Sequence, residues 1–582
     1  MHDLVIRAGT VVDGTGAPPR TADVAISDGV IAEVGRVAGP ARREIDADGL
    51  LVTPGFVDIH THFDGQVTWD SDLTPSCWHG VTTAVLGNCG VGFAPVRPGS
   101  ETALIELMEG VEDIPGTALS EGIQWSWESF PEYLDALAGL ELAMDVGAQI
   151  PHAAVRAYVM GERAQEDASD ADLAQIRDIV RAGLGAGALG FSTGRTAGHR
   201  DVHGKPVPGT YAPEDELAAI LEVMDEVNSG VFQLVPAGVG GVVTGDPEGA
   251  MESELDWLLR RGGASGRPIT FVAMEQHEAG HWKPWFEAVR AANARGANLR
   301  PQVANRCFGV LLGHQSKLNP FRYRASYREI EHLPLVERAA RMRDCGFRAR
   351  ILAEQPQFNG PFQMDQIGRR ALDNVFILGE DLDYEPAPDK SVRAIAAQRG
   401  VDPWEIAYDA MLADDGRAFL LWPFLNYANG CYDGLLEMME DPVSVYGVAD
   451  AGAHVGIICD ATMSTFMLTH WVRDRRRGRR MSLERAVHRL TADTAQLYGL
   501  NDRGVLAPGM KADCNLIDLQ RLRLQCPEQI CDLPGGAGRL IQRAEGYVAT
   551  FVNGVQTIAN DERTGELPGG LVRGARRPPM GR

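Results

Sequence analysis

Eight short apolar runs, separated by stretches with helical periodicity, constrain this chain more than any other feature of its sequence. They lie at 52–59, 82–87, 142–150, 188–192, 231–235, 269–274, 299–304 and 444–449. Between them, apolar residues recur at helical spacing: Leu173, Ile176, Val180 and Leu184 fall on one face, as do Leu217, Ile220, Leu221 and Met224. Glu214, Asp215 and Glu216 open the second of these helices, where the helix dipole favours negative charge. Strands that alternate with helices build a parallel sheet, and eight of them close a barrel.

The expected fold class is α/β: a TIM-like (β/α)8 barrel with a small β-sandwich domain formed from both chain ends and a large insertion between strands seven and eight. Residues 1–53 alternate β-branched runs with Gly, Asp and Pro turns, and the same texture returns at 501–570 in "KADCNLIDLQRLRL" and "GYVATFVNGVQTI". The barrel is expected to occupy 54–304 through strand seven and to finish at 443–500 with strand eight. The stretch 305–442 is too long for a loop and reads as a subdomain over the barrel mouth, rich in arginine and aromatic residues. The basic, Pro-rich end at 571–582 reads as a disordered tail.

A length of 582 residues suits a barrel with additions. The formal charge of −24 and a pI near 5.0 exclude nucleic acid as a partner, because a polyanion meets a repulsive field. The N-terminus lacks a basic leader followed by an apolar core, and no stretch is long enough to cross a bilayer, so a cytoplasmic protein with a small-molecule substrate and no membrane partner is expected. Nine scattered cysteines with no CxxC pair fit neither a disulfide framework nor a zinc finger. Large cytoplasmic barrels often assemble symmetrically, and a homo-oligomer is expected.

The chemistry is carried at the strand ends. "HTHFDGQVTWD" at 60–70 follows the first apolar run, and because strand side chains alternate, His60 and His62 face the same way and can reach one metal. Taken alone, the pair reads more readily as two polar loop residues, and its place at the end of the first strand turns the reading toward metal. The second run, "VTTAVLGNCG", ends at Cys89, either a thiolate ligand or a packed cysteine in a glycine turn. The eighth, "VYGVAD", ends at Asp450, which can bind a metal through one oxygen and accept a proton through the other, or cap a helix. Four such groups at three strand ends favour a metal centre.

"VTPGFVDIHTHFD", "GVTTAVLGNCGVGFAP", "GALGFSTG", "ADAGAHVG" and "DRGVLAPGMKADCNLIDL" resemble the amidohydrolase superfamily, and within it the N-acyl-D-amino-acid deacylase (D-aminoacylase) family. The likeness spans nearly the whole chain, with GNCG its most discriminating element. It implies a zinc-dependent barrel whose metal is held by His60, His62, Cys89 and Asp450. Many superfamily members bridge two metals with a carboxylated lysine after the HxH pair. The first lysine here is Lys205, which argues against that arrangement. The resemblance also implies histidines at the ends of strands five and six. Strand five, "GVFQLVPAG", offers only Gln233, and strand six, "ITFVAMEQHEAGHW", offers His277 as a further candidate ligand. One firmly bound Zn2+ is therefore expected, the second site lacking a full donor set. HEAGH at 277–281 matches the HExxH pattern of zinc peptidases, but Pro284 follows at once, which suits a loop entering a helix rather than a continuous helical face.

For the substrate, Arg195, His199 and Arg200 in "FSTGRTAGHRDVHG" follow strand four, and His152 ends strand three. An arginine fork suits the carboxylate of an N-acyl amino acid, with Arg195 nearest the strand end. The expected reaction is zinc-assisted hydrolysis of the amide of N-acyl amino acids, with Asp450 taking the water's proton and passing it to the leaving amine. Alternatives are hydrolysis of a lactone, cyclic imide or peptide-like natural product on the same site, and, more distantly, a non-catalytic barrel scaffold.

Overall fold

The computed structural model describes residues 1–241, 245–276, 278–357, 372 and 374–574. Eight strands form one parallel sheet in chain order: β1 (Phe56–Asp58), β2 (Val81–Leu86), β3 (Asp145–Pro151), β4 (Gly190–Gly194), β5 (Val231–Val235), β6 (Ile269–Val272), β7 (Leu299–Val303) and β8 (Val445–Tyr446). The two end strands are joined just beyond their C-terminal ends by a parallel bridge between Thr61 and Ala451, where the His62 N–H donates to the Ala451 carbonyl at 2.7 Å. That seam curls the sheet into the barrel.

The first apolar run does not remain one strand. Leu51–Pro54 pairs with His2–Val11 and with Cys514–Ile517 in the terminal sheet, and only Phe56–Asp58 enters the barrel. Gly55 sits at the change of sheet, where a Cβ would stand 2.1 Å from Thr82 Oγ1. A run buried on both faces carries no alternation, so nothing in the pattern marks the switch.

The helices cover the barrel as their apolar faces require. In Asp170–Ala186, Ser169 and Asp172 close a reciprocal N-terminal cap and Gly187 ends the helix at φ 105°. Its Ile176, Val180 and Leu184 are buried, each contributing roughly 1.5–3 kcal/mol. They meet Glu214–Val227, whose buried face includes Leu217, Ile220, Leu221 and Met224.

Both chain ends build a nine-stranded sheet. Val24, Ile26 and Val52 from the start of the chain share its core with Leu516 and Phe551 from the end. Between β7 and β8 the insertion carries a three-stranded antiparallel sheet, Phe308–Gly313, Phe419–Phe424 and Phe376–Leu378, with its own core around Phe321, Tyr408 and Trp422. It is tied to the barrel mouth: Asn426 and Glu275, just past β6, exchange two hydrogen bonds of 2.7 Å, and Arg306, just past β7, pairs with Asp460 at 2.8 Å with neither side chain exposed.

The expected tail begins too early. Gly569 and Leu571 bridge to Leu142 and Val146 at the start of β3, Gly574 N–H bonds to the Gly187 carbonyl at 2.8 Å, and Val572 is buried. Leu571 and Val572 supply the apolar anchors that a reading based on "RGARRPP" passes over; 575–582 lie outside the described residues. Among the described residues, no helix is long and apolar enough to cross a membrane.

Candidate metal centre

His60 and His62 follow β1 into the barrel mouth, both 1% exposed. His60 Nδ1 stands 2.8 Å from Gln302 Oε1, an acceptor, so the ring carries its proton there and turns the Nε2 lone pair inward. Gln302 lies on β7 and was not expected in this role; its sole sequence signal is a polar residue inside an apolar strand.

Cys89 is placed by backbone strain. It adopts φ 57° between Gly87 and Gly90, both at φ 76°, which aims its sulfur back over the barrel. Hydrogen bonds hold this turn. Asn88 Nδ2 donates to the carbonyls of Thr61 and Val85 at 3.1 and 2.8 Å, and the Cys89 N–H donates to Gln233 Oε1 at 3.1 Å. Gln233, which stands where the resemblance implies a histidine, thus braces the Cys89 turn. Asp450 follows β8 at φ 47° and swings over the same point.

Three donor atoms, from His60, His62 and Cys89, converge there, and Asp450 approaches the two imidazoles. His60 Nε2 lies 3.2 Å from Cys89 Sγ and 3.3 Å from Asp450 Oδ1; His62 Nε2 lies 3.6 Å from the sulfur and 3.9 Å from the same oxygen. Bonds of about 2.0–2.3 Å from a tetrahedral zinc to N, O and S ligands place donors about 3.3–3.8 Å apart, so the spacing of the two imidazoles with the sulfur, and of His60 with Asp450, suits that ion.

The electrostatics point the same way. Burial pushes His60 down to about 4, and burial together with His60, His454 and His199 holds His62 well below its ordinary value, so both rings are neutral at pH 7, as ligands must be. Burial, then Glu112, Asp450 and Asp64, push the Cys89 thiol well up, so a cation is needed to draw off its proton. Burial also raises Asp58 and Asp64 to about 7, Asp450 to about 6, and Glu112 well above the usual range. All four carboxylates are buried, and among the described residues none has an arginine or lysine within ion-pair distance. Uncompensated buried charge is costly, and a divalent cation at the donor set offsets it.

The expected substrate residues divide. His199 stands by the centre: burial, with His454 and His60 adding, holds it at about 3, and its Nδ1 is buried without a hydrogen bond. Arg195 does not face the metal site. Its Nε donates to both Glu254 oxygens at 2.8 and 2.9 Å and its Nη1 to the Ala212 carbonyl at 2.7 Å, so the fork is already filled by a carboxylate from the helix Ala250–Ala264. Arg200 donates to Gly204 within its own loop. His152 is not a pocket residue either: Nδ1 pairs with Thr193 Oγ1 at 2.9 Å and Nε2 with Glu216 Oε1 at 2.8 Å, in a cluster completed by Arg156. Strand-end position brings His60 and Cys89 to the barrel mouth but does not reveal which way a loop side chain turns. His277 lies outside the described residues. The helix after β6 starts at Lys283, and His281 precedes it with Nδ1 on the Glu278 carbonyl, so no peptidase helix forms. His454 and Glu112 complete the surroundings; the first lies four residues past Asp450, and no sequence signal marks the second.

A parallel barrel with two imidazoles, a thiol and a carboxylate gathered at its C-terminal mouth defines a hydrolase built around a metal centre. The chain belongs to the amidohydrolase family, whose model matches residues 43–558, and it is a hydrolase of carbon–nitrogen bonds other than peptide bonds. It is 29% identical to an uncharacterized protein of Mycobacterium tuberculosis, over 98% of this chain and 94% of that one. It is 26% identical to a D-aminoacylase of Alcaligenes xylosoxydans xylosoxydans, over 98% and 97%. Among solved structures, an N-acyl-D-glutamate deacylase from Bordetella bronchiseptica, complexed with zinc and a phosphonate inhibitor that mimics the tetrahedral intermediate, superposes with a TM-score of 0.63 at 25% identity, covering 98% of this chain and 99% of that one.

Proposed function

We propose that this chain hydrolyses N-acyl-D-amino acids to a carboxylate and a free amino acid, with one zinc held by His60, His62, Cys89 and Asp450. The observation that carries the reading is the convergence of His60, His62 and Cys89, with Asp450 3.3 Å from His60, in a chain similar over its full length to a D-aminoacylase. Zinc at this position supplies Lewis-acid chemistry, polarising an amide carbonyl and acidifying water. Gln302 fixes the His60 tautomer, and the Asn88 and Gln233 hydrogen bonds hold the Cys89 sulfur in place. Asp450 Oδ accepts the proton of the attacking water and returns it to the leaving nitrogen; a carboxyl raised by burial to about 6 is matched to that exchange near neutral pH. His199, at the edge of the site, faces the substrate.

The nine free cysteines fit a reducing, cytoplasmic setting. A homo-oligomer completes the proposal and is tested by light scattering. The activity is tested by assaying N-acetyl and longer N-acyl D- and L-amino acids with zinc added, beside Cys89→Ala. Release of free D-amino acid that is lost in Cys89→Ala together with bound zinc is the expected result. Inert amides beside rapid turnover of lactones or cyclic imides would overturn it.

A further inference from the structure

Glu112 is an expensive residue for this fold. It closes the helix Glu101–Glu112, where the dipole disfavours a negative charge, it is 2% exposed, and among the described residues it has no arginine or lysine partner. The helix itself is firmly seated by Leu104, Leu107, Met108 and Val111, and Asp113 ends it at φ 54°. The side chain is therefore delivered by a rigid element to one place.

That place is the back of His62. Glu112 Oε1 stands 3.5 Å from His62 Nδ1, and neither atom has a hydrogen-bond partner. The opposite nitrogen, Nε2, is the one that faces Cys89 and Asp450. Glu112 also reaches the loop that carries Asp450: its carbonyl accepts the His454 N–H, and Oε2 stands 3.7 Å from His454 Nε2. On the neighbouring ligand, His60 Nδ1 is hydrogen-bonded to Gln302 at 2.8 Å.

Resting on the metal-centre reading above, we infer that Glu112 is a positioning residue, a carboxylate that holds the proton on His62 Nδ1, fixes the ring with Nε2 toward the metal and links it to the Asp450 loop. Partners of this kind orient a metal-binding imidazole and raise its basicity, and losing one typically weakens metal affinity about 10–100-fold. Glu112 belongs to none of the strand ends that a ligand search inspects, and it reaches the centre only because the helix after β2 packs against the strand-eight loop.

The test is zinc affinity by chelator competition for the parent, Glu112→Gln and Glu112→Ala, with thermal melts of the metal-free proteins and visible spectra of the cobalt-substituted forms. Glu112→Ala should bind zinc about 10–100-fold more weakly and Glu112→Gln less so. Their metal-free melting temperatures should equal or exceed the parent's, since a buried carboxyl group whose Oε1 has no hydrogen-bond partner has been removed. The thiolate-to-cobalt band should persist while the ligand-field bands shift with the ring of His62. Parent-like affinity and spectra in both variants overturn the inference, as does weakened binding seen only where the metal-free fold is itself lost. A parent that binds no zinc in the same titration overturns the metal centre as well; a parent that binds beside variants that bind equally overturns Glu112 alone.

Discussion

In the proposed mechanism Asp450 combines two demands that a single carboxylate meets only in a particular setting. As a ligand it must be ionised, and as a base it must accept a proton readily; burial that raises it to about 6 reconciles them. Because the unprotonated form is the active one, kcat/KM should rise with pH through an acidic limb at or below about 6, zinc drawing the value down. Asp450→Asn keeps the size and one oxygen ligand but cannot take the proton, so turnover should fall by roughly two to four orders of magnitude with zinc still bound. Near-normal turnover in zinc-loaded Asp450→Asn would assign the base to another group. At Arg195 the expectation reverses once the side chain is seen on Glu254. Arg195→Lys should leave KM unchanged and cost about 1 kcal/mol of stability, read from denaturant melts.

Among the elements, the helices after β3 and β4 are joined by charge as well as by apolar faces. Arg156 and His152 on His152–Met160 both reach Glu216 on Glu214–Val227, the arginine through a 2.5 Å ion pair. Burial pushes the Glu216 carboxyl up, but hydrogen bonds and charge from His152 and Arg156 outweigh it and hold the group at about 2. A depressed carboxyl contributes stability that is present above its unfolded value near 4.5 and lost as pH falls toward about 2. Glu216→Gln should therefore destabilise the protein at pH 7 by about 3 kcal/mol, because it strands a buried arginine, and the gap to the parent should narrow steadily below about 4.5. Melts at several pH values check this; a gap independent of pH would make the cluster a packing feature only.

For the whole molecule, the barrel separates chemistry from stability by its two faces. The donors lie at the C-terminal strand ends, while the segment 569–574 crosses the N-terminal ends of β3 and β4 on the far side. A chain ending at 567 should lose several °C of melting temperature, through the lost backbone bonds to Leu142, Val146 and Gly187, and keep its zinc content and KM. Loss of zinc in that variant would show that the two faces are coupled. Metal removal should also lower the melting temperature of the full chain, which should rise with the logarithm of free zinc above the dissociation constant, because the ion binds the folded state.

The sequence by itself determined the barrel, since eight apolar runs alternating with one-faced helices admit few other arrangements, and it determined where the four proposed donors emerge, since alternation along β1 and the ends of β2 and β8 bring His60, His62, Cys89 and Asp450 to the barrel mouth. Tertiary structure decided what periodicity cannot carry. It split the first run at Gly55 because both halves are buried, and it pinned Leu571 and Val572 to the barrel floor. It turned Arg195 onto Glu254, a residue 59 positions away, and brought Glu112 behind His62. Each of these depends on which way a side chain leaves a loop or helix end and on what distant element meets it there, and that is settled by packing across the chain rather than by local pattern.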